Sequence, residues 1–255
     1  GTVVVTAANA VSGPNPQTVS VTLGVGVPLA ALNQGGIVNG ASFSSSTVSA
    51  GSIVSIFGRD LGPKQGVAAE FVGGRLPTEL AGVKVLFDGL AAPLFYASDL
   101  QLNVQVPVEL AGRQSVLVQV VVSGLAGPAE QLNLRAADPG VFLVNGKPAI
   151  FHHGSNTQVS TEVQASAGEF LTIYATGLGP LDTPVESGAP APQATLARTR
   201  AVPRITLGGI AVPVLFSGLA PGFVGLYQIN IQVPAGVPSG NHALVLAVET
   251  AETAP

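Results

Sequence analysis

The side chains able to do acid–base, nucleophilic or metal chemistry are few and scattered. The 255-residue chain has three histidines, His152, His153 and His242, and no cysteine. His152 and His153 adjoin in "FHHG", on a loop expected after the run "VFLVNGKPAIF". Adjacent residues of extended chain project to opposite sides, and no Asp or Glu lies close by in sequence. A zinc site needs three or four converging ligands, so the pair reads as a surface-loop feature and no metal is assigned. A Ser-His-Asp triad lacks the G-x-S-x-G turn that would present its serine. "SFSSSTVS", residues 42–49, reads as a solvated strand edge. Asp60, Asp88, Asp99, Asp138 and Asp182 fall singly on turns, without the spacing of a calcium loop. A junction between domains that gathers oxygens from distant loops is the one calcium option left. Lys84 in "GVKVLF" and Asn103 are candidates for an intramolecular isopeptide, against the simpler reading of Lys84 as an outward strand lysine. No helix follows the glycine-rich turns, so they are not phosphate cradles. The expectation is no catalytic residue, no cofactor and no enzyme.

The aromatic side chains say more. Phe and Tyr together number 13, and there is no Trp. Phe95 and Tyr96 stand in "PLFYASDL"; Phe223 and Tyr227 stand in "GLAPGFVGLY", read as a loop at the corresponding place of a repeated pattern. Four aromatics at one equivalent site read either as an interdomain contact or core plug, or as a contact patch. Such a patch would meet another subunit or a polysaccharide, whose rings stack on aromatic faces. "SDLQLN" would add Asp99 and Gln101 as polar partners.

The elements that must position these residues are strands. Apolar residues lie in short runs broken by Gly, Pro and Asn: "TVVVT", "TVSVTLGV", "SIVSIFG", "GVKVLF", "QLNVQV", "SVLVQVVV", "FLTIYA", "RITLGG", "YQINIQV" and "ALVLAV". Helical recurrence is nearly absent, and spacing near ten residues points to antiparallel sandwiches. Asp88-Gly89, Gly208-Gly209 and Asn145-Gly146 sit where two-residue hairpin loops need positive φ. Pro93 and Pro213, four residues past a turn glycine, remove a ladder donor; each return strand should be an edge or begin with a bulge. No run approaches the ~18 apolar residues of a spanning helix, so no membrane span is expected. A net charge of −4, thinly spread, gives no field for nucleic acid. Few charges with abundant Thr, Ser, Val and Gly point to an exported protein, and "GTVVVTA" has neither the basic stretch nor the apolar core of a signal peptide.

The chain repeats itself. "GSIVSIFGRDLGP", residues 51–63, returns as "GEFLTIYATGLGP", residues 168–180; "QLNVQVP" returns as "YQINIQVP". This organisation implies an N-terminal strand segment at 1–35, then two Ig-like domains at 36–136 and 137–255. In the first segment Val19, Val21 and Leu23 share one strand face. A lone hairpin is marginal in water, which leaves three options: it packs on the first domain, is the end of an upstream domain, or adds strands to a neighbouring molecule.

"GIVNGASF", "GSIVSIFGRDLGP", "PLFYASDLQLNVQVP", "GEFLTIYATGLGP" and "VLFSGLAPGFVGLYQINIQVP" resemble the tandem Ig-like C-terminal module of secreted Acidobacteria proteins of the Solibacter type. Each half is similar to the broader TIG-like class of bacterial surface sandwiches, and residues 1–25 resemble the last strands of a BACON-type Ig-like domain. The resemblance carries no catalytic residues. It implies an extracellular, cell-surface protein of structural or adhesive function. With the sequence it gives the leading expectation: an all-β, non-enzymatic subunit that self-associates as a head-to-tail homopolymer through strand addition by Val19, Val21 and Leu23. The alternative is a carbohydrate-binding or adhesion module for cell-surface polysaccharide.

Overall fold

The computed structural model of the protein describes residues 28–45, 47–155 and 157–248. Within them the chain is all-β, with one 3-10 turn at Val108–Leu110 and no α-helix. Every run expected as a strand there is one: Ile53–Arg59, Val83–Phe87, Gln101–Gln105, Ser115–Val122, Phe170–Thr176, Arg204–Leu207, Tyr227–Gln232 and Leu244–Ala247. Val19, Val21 and Leu23 lie outside the described residues.

Two sheets form around residues 31–135. One runs Ala31–Asn39, Ile53–Arg59, Gln101–Gln105, Leu94–Ala97, Val67–Ala68; the other runs Val48–Ser49, Glu130–Arg135, Ser115–Val122, Val83–Phe87, Leu90–Ala91. Alternation along the strands turns Val54, Ile56, Leu102 and Val104 inward onto Val83, Val85, Phe87 and Val118, and all eight are fully buried. The later residues give the order Gly140–Val141, Phe170–Thr176, Tyr227–Gln232, Val214–Leu219, with Ile150–His152 also on Phe170–Thr176. A smaller sheet runs Ile210–Val212, Arg204–Leu207, Leu244–Ala247. Leu171, Ile173, Ile229, Ile231 and Ile205 belong to a second apolar cluster, separate from the first.

The turn chemistry follows the sequence. Asp88-Gly89, Asn145-Gly146 and Gly208-Gly209 all take positive φ and close two-residue hairpins; Ser123-Gly124 is a fourth pair of the same kind. Pro93 and Pro213 do something beyond what the missing donor implies. Each stands where the chain leaves one sheet and enters the facing one, and a bulge follows, at Leu94/Tyr96 and at Val214/Phe216.

The repeated stretch is scaffold. Leu61 and Leu178 of the two "LGP" copies plug the two cores at 0% exposure. Gly51 and Gly168 turn at φ 79° and 82°, and the carbonyl of each accepts from a repeated glutamine, Gln105 at 3.3 Å and Gln232 at 3.0 Å.

The Ala31–Asn39 strand runs across the limit expected at residues 35/36. Its "NQGG" centre hid it from a reading of apolar alternation. A bulge sits between Leu32 and Ile37, and a Cβ on Gly36 would come within 2.5 Å of the Phe57 carbonyl oxygen.

A polar seam joins the two apolar clusters. The Asn39 amide, at 0% exposure, donates to the Asp138 carbonyl at 2.7 Å. Ile53 N–H donates to Thr176 Oγ1 at 2.9 Å, and that hydroxyl donates to the Gly225 carbonyl at 3.0 Å. Gly188 N–H donates to Gln105 Oε1 at 2.7 Å, and Leu76 N–H to the Gly188 carbonyl at 2.9 Å. These groups are largely shielded from water, so each is costly to leave unpaired.

Candidate functional site

The solvent-facing sides of the two large sheets carry the same lattice of side chains. In the first, Ser55 stands opposite Asn103 and Phe57 opposite Gln101; in the second, Thr172 stands opposite Asn230 and Tyr174 opposite Gln228. Partners across an antiparallel ladder share a face, and the intervening residues are the core positions described above. In both copies the glutamine amide is fixed on its neighbour: Gln101 Nε2 donates to Asn103 Oδ1 at 2.8 Å, and Gln228 Nε2 to Asn230 Oδ1 at 2.9 Å.

What covers the lattice differs. In the first copy Phe43 stacks on Phe57 with ring centroids 6.4 Å apart, and Ser55 is 5% exposed. In the second, the Ile150–His152 strand brings Phe151 opposite Thr172, and its ring meets Tyr174 edge-on at 5.7 Å. A cavity of about 270 Å³ opens there, lined by Phe151, His153, Ser155, Thr172, Tyr174 and Gln228. His153 Nδ1 lies 2.9 Å from Thr172 Oγ1, which donates to Asn230 Oδ1 at 3.3 Å.

The two adjacent histidines do project to opposite sides. His153 is on the open face, while His152 pairs with Glu169, whose carboxylate also accepts from Ser166 N–H at 2.8 Å. The hydrogen bond to Glu169 raises the His152 pKa above its ordinary value, and the same bond holds Glu169 below the usual carboxylate range. Sequence distance concealed this partner, because the neighbouring strand supplies it. His242 Nε2 lies 2.7 Å from the Pro238 carbonyl.

The four aromatics, read either as an interdomain contact or core plug or as a contact patch, are divided. Phe95 and Phe223 come together in an apolar cleft of about 490 Å³ along the seam, with Phe71, Leu76, Phe142 and Val224. Tyr96 packs over Gly66, where a Cβ would fall within 2.8 Å of the phenol oxygen and two ring carbons. Tyr227, expected on a contact loop, instead opens a strand and is 2% exposed. Its hydroxyl donates to the Gly179 carbonyl at 2.7 Å, and burial pushes the phenol's pKa up.

The remaining candidates hold local structure. Asp88 accepts from Leu117 N–H at 2.7 Å and pairs with Arg113; Asp99 pairs with Lys64; Asp182 accepts from Arg198 N–H at 2.8 Å. Asp138, at the junction where calcium oxygens were considered, receives Asn39 and Thr47. Among the described residues no group of three or more His, Asp or Glu converges as a metal site. Lys84 faces outward to Glu79 at 3.0 Å, in the opposite sheet from Asn103. In "SFSSSTVS" residues 42–45 are exposed, but Thr47, Val48 and Ser49 are buried, and Val48–Ser49 pairs parallel with Glu130–Arg135. Among the described residues no helix is long and apolar enough to cross a membrane.

The lattice residues Thr172, Tyr174, Gln228 and Asn230 were missed as a site. Their signal was present in the alternate positions of "LTIY" and "YQIN", which match "VSIF" and "LQLN".

No family model matches the chain, and no curated protein matches it. Among solved structures the chain aligns with the C-terminal domain of the AgI/II polypeptide BspA of Streptococcus agalactiae, at 10% identity over 77% of this chain and 82% of that one. The TM-score is 0.17.

Proposed function

We propose that the chain is a non-enzymatic structural or adhesive module of an extracellular bacterial surface protein, built of two Ig-like sandwiches set end to end as a stiff unit. The observation that carries this reading is the seam: Asn39, Ile53, Leu76 and Gln105 bond Asp138, Thr176 and Gly188 across it. Inter-domain contacts within a chain ordinarily allow relative motion unless they are extensive or apolar. Here buried polar groups on both sides lose their partners if the units swing apart. The resemblance to secreted Acidobacteria modules supports the extracellular assignment, and the reading gives the histidines no catalytic task, since Glu169, Thr172 and the Pro238 carbonyl engage them.

The same reading includes joining of units head to tail, with Val19, Val21 and Leu23 of one copy added to a sheet of the next. Leu244–Ala247 pairs with Arg204–Leu207 on one side. Its other edge has no strand among the described residues, whereas Glu130–Arg135 covers that edge of Ser115–Val122. A heterologous contact of this kind builds an open filament.

Small-angle scattering with negative-stain microscopy tests both levels. A profile matching one fixed arrangement of the two units is expected, and a profile that needs an ensemble of hinge angles would overturn the stiff-unit reading. Filaments are expected from the full chain and not from a chain lacking residues 1–27, which keeps the whole Ala31–Asn39 strand. Equal assembly by the two would remove strand addition.

A further inference from the structure

We infer that the open face around Phe151, Tyr174 and Gln228 is a binding site for one neutral sugar ring of a glycan. This goes beyond the structural reading and does not depend on it.

The hydrogen-bond accounting leads there. Thr172 Oγ1 lies 2.9 Å from His153 Nδ1 and 3.3 Å from Asn230 Oδ1, so one buried hydroxyl ties the two side chains together. His153 Nε2 is left to give or take one further hydrogen bond. Asn230 Oδ1 also receives Gln228 Nε2, which orients both amides with Asn230 Nδ2 and Gln228 Oε1 unspent. Of the residues lining the cavity, the Tyr174 hydroxyl, Gln228 Oε1 and His153 Nε2 have no partner within the described residues. Thr172, at 6% exposure, is the buried anchor that holds the set in place.

The ligand must therefore offer several donors and acceptors close together, plus an apolar side for the Phe151 and Tyr174 rings. It must also be neutral, because apart from His153 the lining holds no ionisable side chain other than a tyrosine. Hydroxyls around one six-membered ring meet all three demands. The volume, about 270 Å³, lies below the range of sites for drug-sized ligands, which begins at roughly 300 Å³. The equivalent face of the first half keeps the Asn-Gln pair but has Val38 where Phe151 stands and Gly40 where His153 stands, and Phe43 occupies its ring. The repeat thus supplies an internal control.

The test is saturation-transfer NMR of the full chain with glucose, galactose, mannose and N-acetylglucosamine at millimolar concentration, followed by titration of a responding sugar. Transfer to at least one of them is expected. Tyr174→Ala and Gln228→Ala should each weaken binding about tenfold or more, the size of one lost ring or hydrogen-bond contact of ~1.4 kcal/mol. Gln101→Ala, on the closed face, should leave binding unchanged. No transfer from any of the four, or binding that survives both substitutions, or an equal loss on Gln101→Ala, would each overturn the site. Scattering on the same samples reports the stiffness of the two-unit body separately, so failure of the sugar site and failure of the structural reading are told apart.

Discussion

The two halves of the molecule use the same parts for different ends, and the contrast shows what each part does. Gln105 and Gln232 hold the carbonyls of Gly51 and Gly168 in the same way. The first clamp is buried in the seam, where its other amide atom takes Gly188 N–H; the second, at the far end of the chain, is more exposed. Asn39 and His152 are likewise equivalent: each faces its neighbouring strand, at Val54 and at Leu171. Asn39 reaches across the seam to Asp138, and His152 pairs with Glu169 within its own half. The same outward lattice is capped by an aromatic in one half and walled into a cavity in the other. A repeated backbone does not impose a repeated function, because the residues beside it decide what it meets.

The contrast breaks most sharply at the left-handed position ahead of each "LGP". Gly177 has φ 76°, and a Cβ there would come within 2.0 Å of the Asp138 carbonyl oxygen, while Asp60 holds the equivalent position at φ 55° in the first half. Gly177→Ala should cost about 2–4 kcal/mol, since it combines backbone strain with displacement of the Asp138 carbonyl that accepts from Asn39 across the seam. Denaturant melts should then show separate transitions for the two halves. Asp60→Gly should change stability by less than about 1 kcal/mol. Similar costs for the two would mean that the seam does not couple the halves.

The glutamine clamps come next. Gln105→Ala leaves Gly188 N–H and the Gly51 carbonyl unpaired in a buried place, for about 2–3 kcal/mol; Gln232→Ala frees a carbonyl that water can reach, for under about 1 kcal/mol. Equal losses in equilibrium unfolding would contradict the difference in burial.

The smallest effect is the His152–Glu169 pair. The raised histidine contributes stability that is complete below its ordinary value of 6.5 and is lost as pH rises through the raised value. The lowered carboxylate contributes above its ordinary value of 4.5 and is lost as pH falls through the lowered one. Both are present between those limits, so the wild-type chain should gain under about 1 kcal/mol over His152→Gln there and lose the advantage as pH rises through the raised histidine value. An advantage that grows with pH would give the pair the wrong sign.

Much of the architecture was legible because it depends on local rules. Alternation placed the eight described strands expected from it, and Asp-Gly, Asn-Gly and Gly-Gly placed the three expected turns, since pleating and positive φ are properties of a few neighbouring residues. Ala31–Asn39 escaped because its bulge puts two glycines in mid-strand, a need set by the Phe57 backbone beside it. Tyr227 could be read as core plug or contact residue because what decides its burial, the Gly179 carbonyl, is 48 residues away. The partners of His152 and His153 were hidden for the same reason. Sequence by itself determined that this chain folds as sheets and where it turns, and it carries the matching stretches 51–63 and 168–180. Only the tertiary structure decided which face is capped, which is open, and which end is buried in the seam. Those outcomes rest on contacts between residues far apart in the chain, and periodicity carries no record of such contacts.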